Sequence, residues 1–167
     1  MVQLILAAVF SFNAIEVGLG VGTNTPIGNM ERYFSAGASF SVDIGKEIGR
    51  ERFILSYENS ALSGNGQPSY EIQLNEISFE YGHSVIKRGN WSLPVSLGIN
   101  NIWLGREYQN LQEKGTVQGV DLGIGFLETM QRAKFGAKFS VGGLYSLSEV
   151  KNSAYILKLK VLIGYEL

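Results

Sequence analysis

The last thirteen residues of the chain alternate between bulky apolar side chains and smaller or charged ones. From Tyr155 to Leu167 every odd-numbered residue is Tyr, Leu, Val or Ile, whereas the even-numbered positions include Lys158, Lys160, Gly164 and Glu166. A repeat of two is the period of a β-strand whose two faces meet different surroundings, because a helix would repeat every three or four residues. This segment therefore predicts a strand with one face against an apolar medium.

The same alternation recurs from Ile15 onward and predicts eight strands. Apolar residues hold alternate positions around 15–21, 34–44, 53–57, 70–81, 91–103, 120–126, 135–145 and 155–167. In the fourth of these segments the apolar phase changes by one residue, which we expect a β-bulge near Asn75 to absorb. No segment has a helical period. The prediction is one all-β domain over residues 15–167.

Composition and charge exclude several classes of function. The chain has 14 Lys and Arg against 15 Asp and Glu, a net charge of -1, so it offers no basic field for nucleic acid. Charged residues make up 17% of the chain, below the roughly 25% of soluble domains. Cysteine is absent, which excludes thiolate metal sites and a cysteine nucleophile. No run approaches the roughly 18 apolar residues of a membrane helix, so a membrane crossing would have to use strands.

The connections between the predicted strands alternate in length. Short turns are expected at 46–50, 86–90 and 130–133, and longer polar loops at 23–31, 61–69, 106–115 and 147–153. Because successive strands run up and down, the long loops gather at one end and the short turns at the other, as in transmembrane barrels. We therefore predict an eight-stranded antiparallel up-and-down transmembrane β-barrel, whose first and last strands pair because hydrocarbon tolerates no open sheet edge.

Aromatic residues gather towards the strand ends, as amphipathic rings do at the two interfaces of a membrane. The predicted belt near the short turns consists of Phe53, Tyr81, Trp91, Phe126, Phe135 and Tyr165. The predicted belt near the long loops consists of Phe34, Tyr57, Tyr70, Trp103, Tyr145 and Tyr155. Both belts support a band of lipid between them.

The opposite face of the strands carries glycine, serine and charged residues, which we expect to face the lumen. The predicted interior charges are Glu16, Asp43, Arg52, Glu58, Glu71, Glu76, Glu80, Asp121, Lys138, Lys158, Lys160 and Glu166. An eight-stranded barrel is only wide enough inside for side chains, so these charges are expected to pair into a network that plugs the lumen. A narrow ion pathway is the alternative.

His83 is the only histidine, so any catalytic triad or histidine metal site would depend on it. Ser84 is a conceivable nucleophile, but adjacent strand residues point to opposite faces. The topology also places His83 near the short turns. We therefore expect an interfacial histidine without a catalytic role, and we expect no metal site and no cofactor.

The pattern over residues 15–167 resembles the small eight-stranded outer-membrane barrels of the OmpA transmembrane domain and OmpX type. The final strand carries the alternating residues of that family at Leu159, Val161, Ile163 and Tyr165. Leu167 stands where the family usually ends in Phe. The resemblance implies the outer membrane of a Gram-negative-type bacterium, contact with membrane lipid and lipopolysaccharide, and insertion by the outer-membrane assembly machinery.

Residues 1–14 are interpreted as the remnant of a signal peptide, because an outer-membrane barrel must first be exported. Leu4 to Phe10 have the length of a signal's apolar region and Ala14 suits a cleavage site. No Lys or Arg precedes that region, and Phe12 stands where a small residue is usual. A start further upstream and an additional strand therefore both stay open.

The favoured function is a non-enzymatic membrane anchor or surface-interaction protein that acts through its longer loops. One alternative is a soluble, lipocalin-like binder that holds an apolar ligand inside the barrel. A second alternative is a lipid-modifying enzyme of the outer membrane, and a third is the narrow pore. The fold alone does not choose among these, because one barrel hosts many functions.

Overall fold

The computed structural model is a closed barrel of eight antiparallel strands, as the sequence predicts. It describes residues 15–65, 71–108, 111–145 and 154–167, with side chains for all of these except 106–108, 111–114 and 144–145. The strands are β1 (Ile15–Ile27), β2 (Gly37–Ile48), β3 (Glu51–Ser63), β4 (Glu71–Arg88), β5 (Trp91–Tyr108), β6 (Leu111–Met130), β7 (Ala133–Tyr145) and β8 (Ala154–Glu166). Within the described residues, no helix is long and apolar enough to cross a membrane.

The pairing of the strands determines their tilt. The register can be followed around the barrel by moving from Val17 on β1 to its paired residue on each successive strand. These paired residues are Ile44, Leu55, Phe79, Ile99, Val120, Gly143 and Tyr155, and the last of them pairs with Ile27 on β1. The circuit closes ten residues further along the strand than it began. With about 3.3 Å per residue and 4.8 Å between strands, this offset tilts the strands by roughly 40°.

The two faces of the wall have opposite character. On β6, Leu122 is 62% exposed on the outer face, whereas the neighbouring Asp121 is 7% exposed and points inward. On β8, Leu159 and Val161 are likewise exposed while Lys158 is buried. A soluble barrel would show the reverse, with polar residues outside. An apolar exterior around a polar interior is the arrangement of a transmembrane barrel.

The short-turn end consists of three two-residue connections. They are Gly49–Arg50, Gly89–Asn90 and Gln131–Arg132, which lie inside the predicted turns. The first residue of each has a positive φ, of 67°, 56° and 58° respectively. Glycine reaches this region without a steric cost, which explains its choice in two of the three turns.

The opposite end has longer strands than the sequence predicted. The loop predicted at 106–115 is mostly wrong, because Tyr108 of β5 and Leu111 of β6 are register partners at the end of a β-hairpin. The loop predicted at 23–31 is also largely wrong, since β1 runs to Ile27 and a 3-10 helix follows at Gly28–Arg32. Polar sequence indicated loops here, yet polar residues are equally compatible with paired strands outside a membrane.

Two predicted segments lie wholly outside the described residues, the signal-peptide remnant at 1–14 and the loop at 147–153. The loop predicted at 61–69 is partly described: residues 61–63 belong to the end of β3, and residues 66–69 lie outside the described residues.

The β-bulge predicted near Asn75 is wrong. Asn75 keeps regular register with Asn59 on β3 and with Trp103 on β5. The register shift on β4 lies instead between Ser84 and Ile86. The apolar phase changes because Leu74 points into the barrel while the backbone stays regular.

Candidate functional site in the barrel lumen

Charged side chains converge in the short-turn end of the lumen. Lys134, 5% exposed, donates hydrogen bonds to Glu16 (3.0 Å) and Glu47 (2.9 Å). Arg52 also donates to Glu16. At the rim, the Lys87 ammonium lies 2.5 Å from a Glu47 oxygen. We call Glu16, Glu47, Arg52 and Lys134 the lower ion cluster.

A second group of charges centres on Lys158, which is 3% exposed. Its ammonium donates to both carboxylate oxygens of Glu76, at 2.8 and 2.7 Å, and to Asp121 at 2.9 Å. The Asn100 amide donates to Glu76 at 3.2 Å. Two carboxylates thus converge on one ammonium in a site removed from solvent.

Glu58 joins the same group from the other side of the lumen. It pairs with Lys160 and accepts a 2.7 Å hydrogen bond from the Asn24 amide, which also donates to Ser60 at 2.9 Å. A buried charge is tolerated only when it is paired and hydrogen-bonded, and Glu58 meets both conditions. We call Glu58, Glu76, Asp121, Lys158 and Lys160 the upper ion cluster.

Between the clusters, glycine leaves room for side chains that cross the lumen. Lys138 reaches across to Glu80. A Cβ on Gly123 would stand 2.7 Å from the Ser96 hydroxyl and 2.8 Å from Cε of Lys138. Nearby, Ser56 donates a 2.5 Å hydrogen bond to Asp43. The inward glycines therefore set the space in which the ions pair.

Most of the interior charges predicted from the sequence lie on the inward face. Inward positions are held by Glu16, Asp43, Arg52, Glu58, Glu76, Glu80, Asp121, Lys138, Lys158, Lys160 and Glu166. The prediction for Glu71 is wrong, since it is exposed on the outward register of β4. The assumed phase change at Asn75 had placed it on the wrong face.

Glu47 and Lys134 were missed by the sequence analysis. Both stand next to short turns, where the alternation was assumed to have ended. Continuing the alternation beyond Ile44 in β2 and before Phe135 in β7 would have placed both of them inside.

At the other end of the lumen the structure places a cluster of buried apolar side chains, which the sequence analysis also missed. Leu62, Leu74, Ile102 and Ile156 from four strands, together with Phe34, form one buried cluster. We call these five residues the apolar seal. The assignment of Phe34 to an aromatic belt is wrong, because it is only 9% exposed inside the barrel mouth. It lies in a connection, where strand alternation carries no information.

Phe34 is brought inward by the connection between β1 and β2, residues Gly28–Ala36, which we call the cover segment. The Asn65 backbone N–H donates to the carbonyl oxygen of Tyr33 (2.8 Å), and the Asn65 side-chain amide donates to that of Glu31 (2.7 Å). Ser35 N–H donates to the carbonyl oxygen of Ser63 at 2.8 Å. The cover segment is therefore fastened to the connection after β3.

We expect Phe34→Leu to lower the free energy of unfolding by about 1 kcal/mol, because the seal loses packed volume in a site that cannot collapse fully. Denaturant unfolding of the barrel in lipid vesicles measures the loss. The control is Phe40→Leu on the outer face, where lipid fills the lost volume and the change should be close to zero. Equal losses in the two variants would contradict the placement of Phe34 in a packed seal.

The other predicted aromatic residues that the structure describes lie on the outer wall. They are Phe53, Tyr57, Tyr81, Trp91, Trp103, Phe126, Phe135, Tyr155 and Tyr165. The rings of Phe53 and Tyr81 lie 5.5 Å apart, and those of Trp91 and Phe126 lie 6.3 Å apart. Tyr70 and the side chain of Tyr145 lie outside the described residues.

His83 lies on the outer face near the short turns. Its Nδ1 is 2.9 Å from a Glu51 oxygen, and the other Glu51 oxygen accepts a hydrogen bond from the Tyr81 hydroxyl. Ser84 is buried and points into the barrel, so the wall separates it from His83. The described part of the chain holds no group of three or more His, Cys, Asp or Glu residues suited to a metal ion.

A cavity of about 390 Å³ opens at the short-turn end, beyond the lower ion cluster. Its walls include Glu47, Lys87, Trp91, Lys134 and Glu166. It carries charges of both signs, and the lower ion cluster forms its floor.

An antiparallel barrel with an apolar exterior and ion-paired interior defines a transmembrane β-barrel protein. Among solved structures, Neisserial surface protein A (NspA) is similar, with a TM-score of 0.73, 13% identity, and 90% of this chain and 96% of that chain covered. Ail of Yersinia pestis, solved with the heparin analogue sucrose octasulfate, has a TM-score of 0.65, 11% identity and coverage of 93% and 100%. A major outer membrane protein from Thermus thermophilus has a TM-score of 0.64, 11% identity and coverage of 92% and 98%.

No protein-family model matches the chain, and no curated protein matches it either. The likeness to the solved structures therefore concerns the fold. The chain has the fold of the small eight-stranded outer-membrane β-barrels, which is the fold that the resemblance in its sequence implied.

Proposed function

We propose that this protein is an outer-membrane barrel of a Gram-negative-type bacterium that anchors a surface-interaction hairpin and does not conduct ions through its lumen. Membrane lipid and lipopolysaccharide would surround the wall, and the outer-membrane assembly machinery would insert it. The proposal rests on one observation. Strands β5 and β6 extend well beyond the apolar band of the outer wall at one end of the barrel.

A ring of amides limits that apolar band on one side of the barrel. Asn59, Asn75, Asn101 and Gln118 face outward on four successive strands, β3 to β6. The Asn75 side-chain oxygen accepts hydrogen bonds from Asn59 (3.0 Å) and from the Tyr57 hydroxyl (2.8 Å). Amides are costly in hydrocarbon, so this ring suits the boundary between acyl chains and head groups.

The hairpin of β5 and β6 continues past this ring. Tyr108 lies seven positions beyond Asn101, and Leu111 lies seven positions from Gln118, with the two strands paired throughout. At about 3.3 Å per residue and a tilt of roughly 40°, the hairpin stands roughly 18 Å above the ring. The described connections at the other end are two-residue turns. A projecting hairpin supports contact with a partner outside the cell.

The hairpin carries Arg106 and Lys114 against Glu107 and Glu113, so its charges balance. Ail is seen with a sulfated ligand, but a polyanion needs a basic surface. The balanced charges of this hairpin do not favour such a ligand.

Epitope tags test the orientation. A tag between Gln109 and Asn110 should react with antibody on intact cells, whereas a matched tag between Gly49 and Arg50 should react only after the outer membrane is permeabilised. The opposite pattern, or equal reaction of both tags on intact cells, would overturn the proposal that the hairpin is the exposed element.

Planar lipid bilayer recording tests the lumen. We expect no steady conductance from the folded barrel, because the two ion clusters and the apolar seal fill its interior. Folding of the recorded sample is checked by its altered gel migration before boiling. A uniform, stable open level from folded protein would establish the narrow pore instead.

The rival functions have less support. A lipocalin-like binder needs an apolar interior, whereas the middle of this lumen is ionic. A lipid-modifying enzyme needs a nucleophile beside its base, whereas His83 and Ser84 face opposite sides of the wall. These two observations favour a non-enzymatic role with a closed lumen.

A further inference from the structure

We propose that the hairpin-end mouth of the barrel is a lid-covered binding site for an amphiphilic cation. The cover segment, Gly28–Ala36, is the lid, and Phe34 occupies the place that the apolar part of the ligand would take. The cationic group of the ligand, an ammonium or guanidinium, would pair with the upper ion cluster. This site is separate from the surface-interaction role and does not depend on it.

The apolar seal lies directly above the upper ion cluster. Inward positions on a strand recur every second residue, so Leu74 is the inward neighbour of Glu76 and Ile156 that of Lys158. On β5, Ile102 is likewise the inward neighbour of Asn100. The mouth therefore has an apolar layer, the apolar seal, directly above an ionic layer, the upper ion cluster. An amphiphile, with an apolar part and a charged head, has the same order of polarity.

The charges of the ionic layer favour a cation over an anion. The upper ion cluster has three carboxylates, on Glu58, Glu76 and Asp121, against two ammonium groups, on Lys158 and Lys160. One negative charge is in excess in a site of low dielectric, where uncompensated charge is costly. A ligand cation would remove that excess.

Hydrogen bonding favours the same class of ligand. The side-chain oxygens Asn24 Oδ1, Asn100 Oδ1 and Asp121 Oδ1 have no donor within the described part of the protein, and all three residues are more than nine-tenths buried. Each of these atoms can only accept a hydrogen bond. An ammonium or guanidinium group supplies several donors, whereas a carboxylate or phosphate supplies none.

The cover segment can leave without breaking the barrel. Four residues of the seal belong to strands, and only Phe34 belongs to the cover segment. The attachments of the segment to the β3 side include the hydrogen bonds of Asn65, those around Ser35, and the bridge between Phe34 and Gly64. Gly28, with φ of 70°, stands where the segment leaves β1 and tolerates a change of direction.

A cysteine reporter tests the proposal, because the chain has no native cysteine. Met30→Cys places a thiol on the cover segment where it packs against the seal. Its rate of reaction with a charged maleimide is measured on the full barrel in lipid vesicles. Three probes are compared, 4-phenylbutylammonium, 4-phenylbutanol and 4-phenylbutyrate. We expect the ammonium to speed labelling about tenfold at saturation, and the alcohol and the carboxylate to change it less than twofold.

Two further variants of the Met30→Cys protein test separately the opening of the cover segment and the role of the carboxylates. Asn65→Ala removes hydrogen bonds that contribute about 0.5–1.5 kcal/mol each, so labelling without a probe should become about tenfold faster. Glu76→Gln should abolish the effect of the ammonium, and Asp121→Asn provides the same test if Glu76→Gln does not fold. Gln118→Cys on the outer wall is the control thiol, which no probe should affect.

Three results would overturn the site. They are equal acceleration of labelling by all three probes, no acceleration by any of them, and an undiminished effect of the ammonium in a folded Glu76→Gln or Asp121→Asn barrel. Unchanged labelling in Asn65→Ala overturns the lid. None of these outcomes alters the expected tag accessibility, so the proposed surface role is tested separately.

Discussion

Replacing Lys158 with methionine is expected to lower the free energy of unfolding by about 3–5 kcal/mol, the usual cost of breaking a buried ion pair. The Lys158 ammonium is the hydrogen-bond donor to both Glu76 oxygens and to Asp121. Methionine fills much of the same space but leaves two buried carboxylates facing each other. The loss therefore reflects uncompensated charge more than lost volume.

Urea unfolding in lipid vesicles measures this loss. Leu159→Met is the matched control, because Leu159 is the next residue on β8 but faces outward, and its effect should stay below about 1.5 kcal/mol. Adding Glu76→Gln and Asp121→Asn to Lys158→Met should recover part of the stability, since the buried charge is then removed. A loss under about 1 kcal/mol for Lys158→Met would contradict the description of the upper ion cluster as a paired, buried unit.

Leu122→Arg is expected to destabilise the barrel by about 2–4 kcal/mol, the cost of a basic side chain at the midplane of a bilayer on the lipid face of a barrel. Leu122 is a suitable position because it lies in the middle of the apolar outer row of β6, between Val120 and Ile124. On a water-facing wall the same change would cost little, so this variant tests the orientation of the whole barrel.

The control for Leu122→Arg lies on the same face of the same strand. Glu128 is exposed near the short-turn end, and Glu128→Arg should cost about 0–1 kcal/mol, as at a membrane interface. Unfolding in vesicles compares the two variants. Similar small losses in both would indicate that water, and not lipid, surrounds the outer wall.

The candidate site was predictable where a residue lies inside a strand. Lys158 and Asp121 alternate with large apolar neighbours, so their inward orientation follows from the period of the strand alone. Phe34 was not predictable, because it lies in a connection that folds over the mouth. The inward orientation of Leu74 was not predictable either, because apolar residues suit both lipid and a seal. Side-chain polarity alone does not distinguish these two apolar surroundings.

The sequence by itself determined the architecture of this protein. The alternation of apolar and polar residues sets which residues share a face of a strand. The two short glycine-containing turns set where the strands reverse direction, because both properties are local to the backbone. Only the tertiary structure decided which side chains meet inside the lumen. Which carboxylate meets Lys158, and which apolar side chains meet Phe34, depends on the offset of ten residues around the barrel, and that offset arises when all eight strands pair at once.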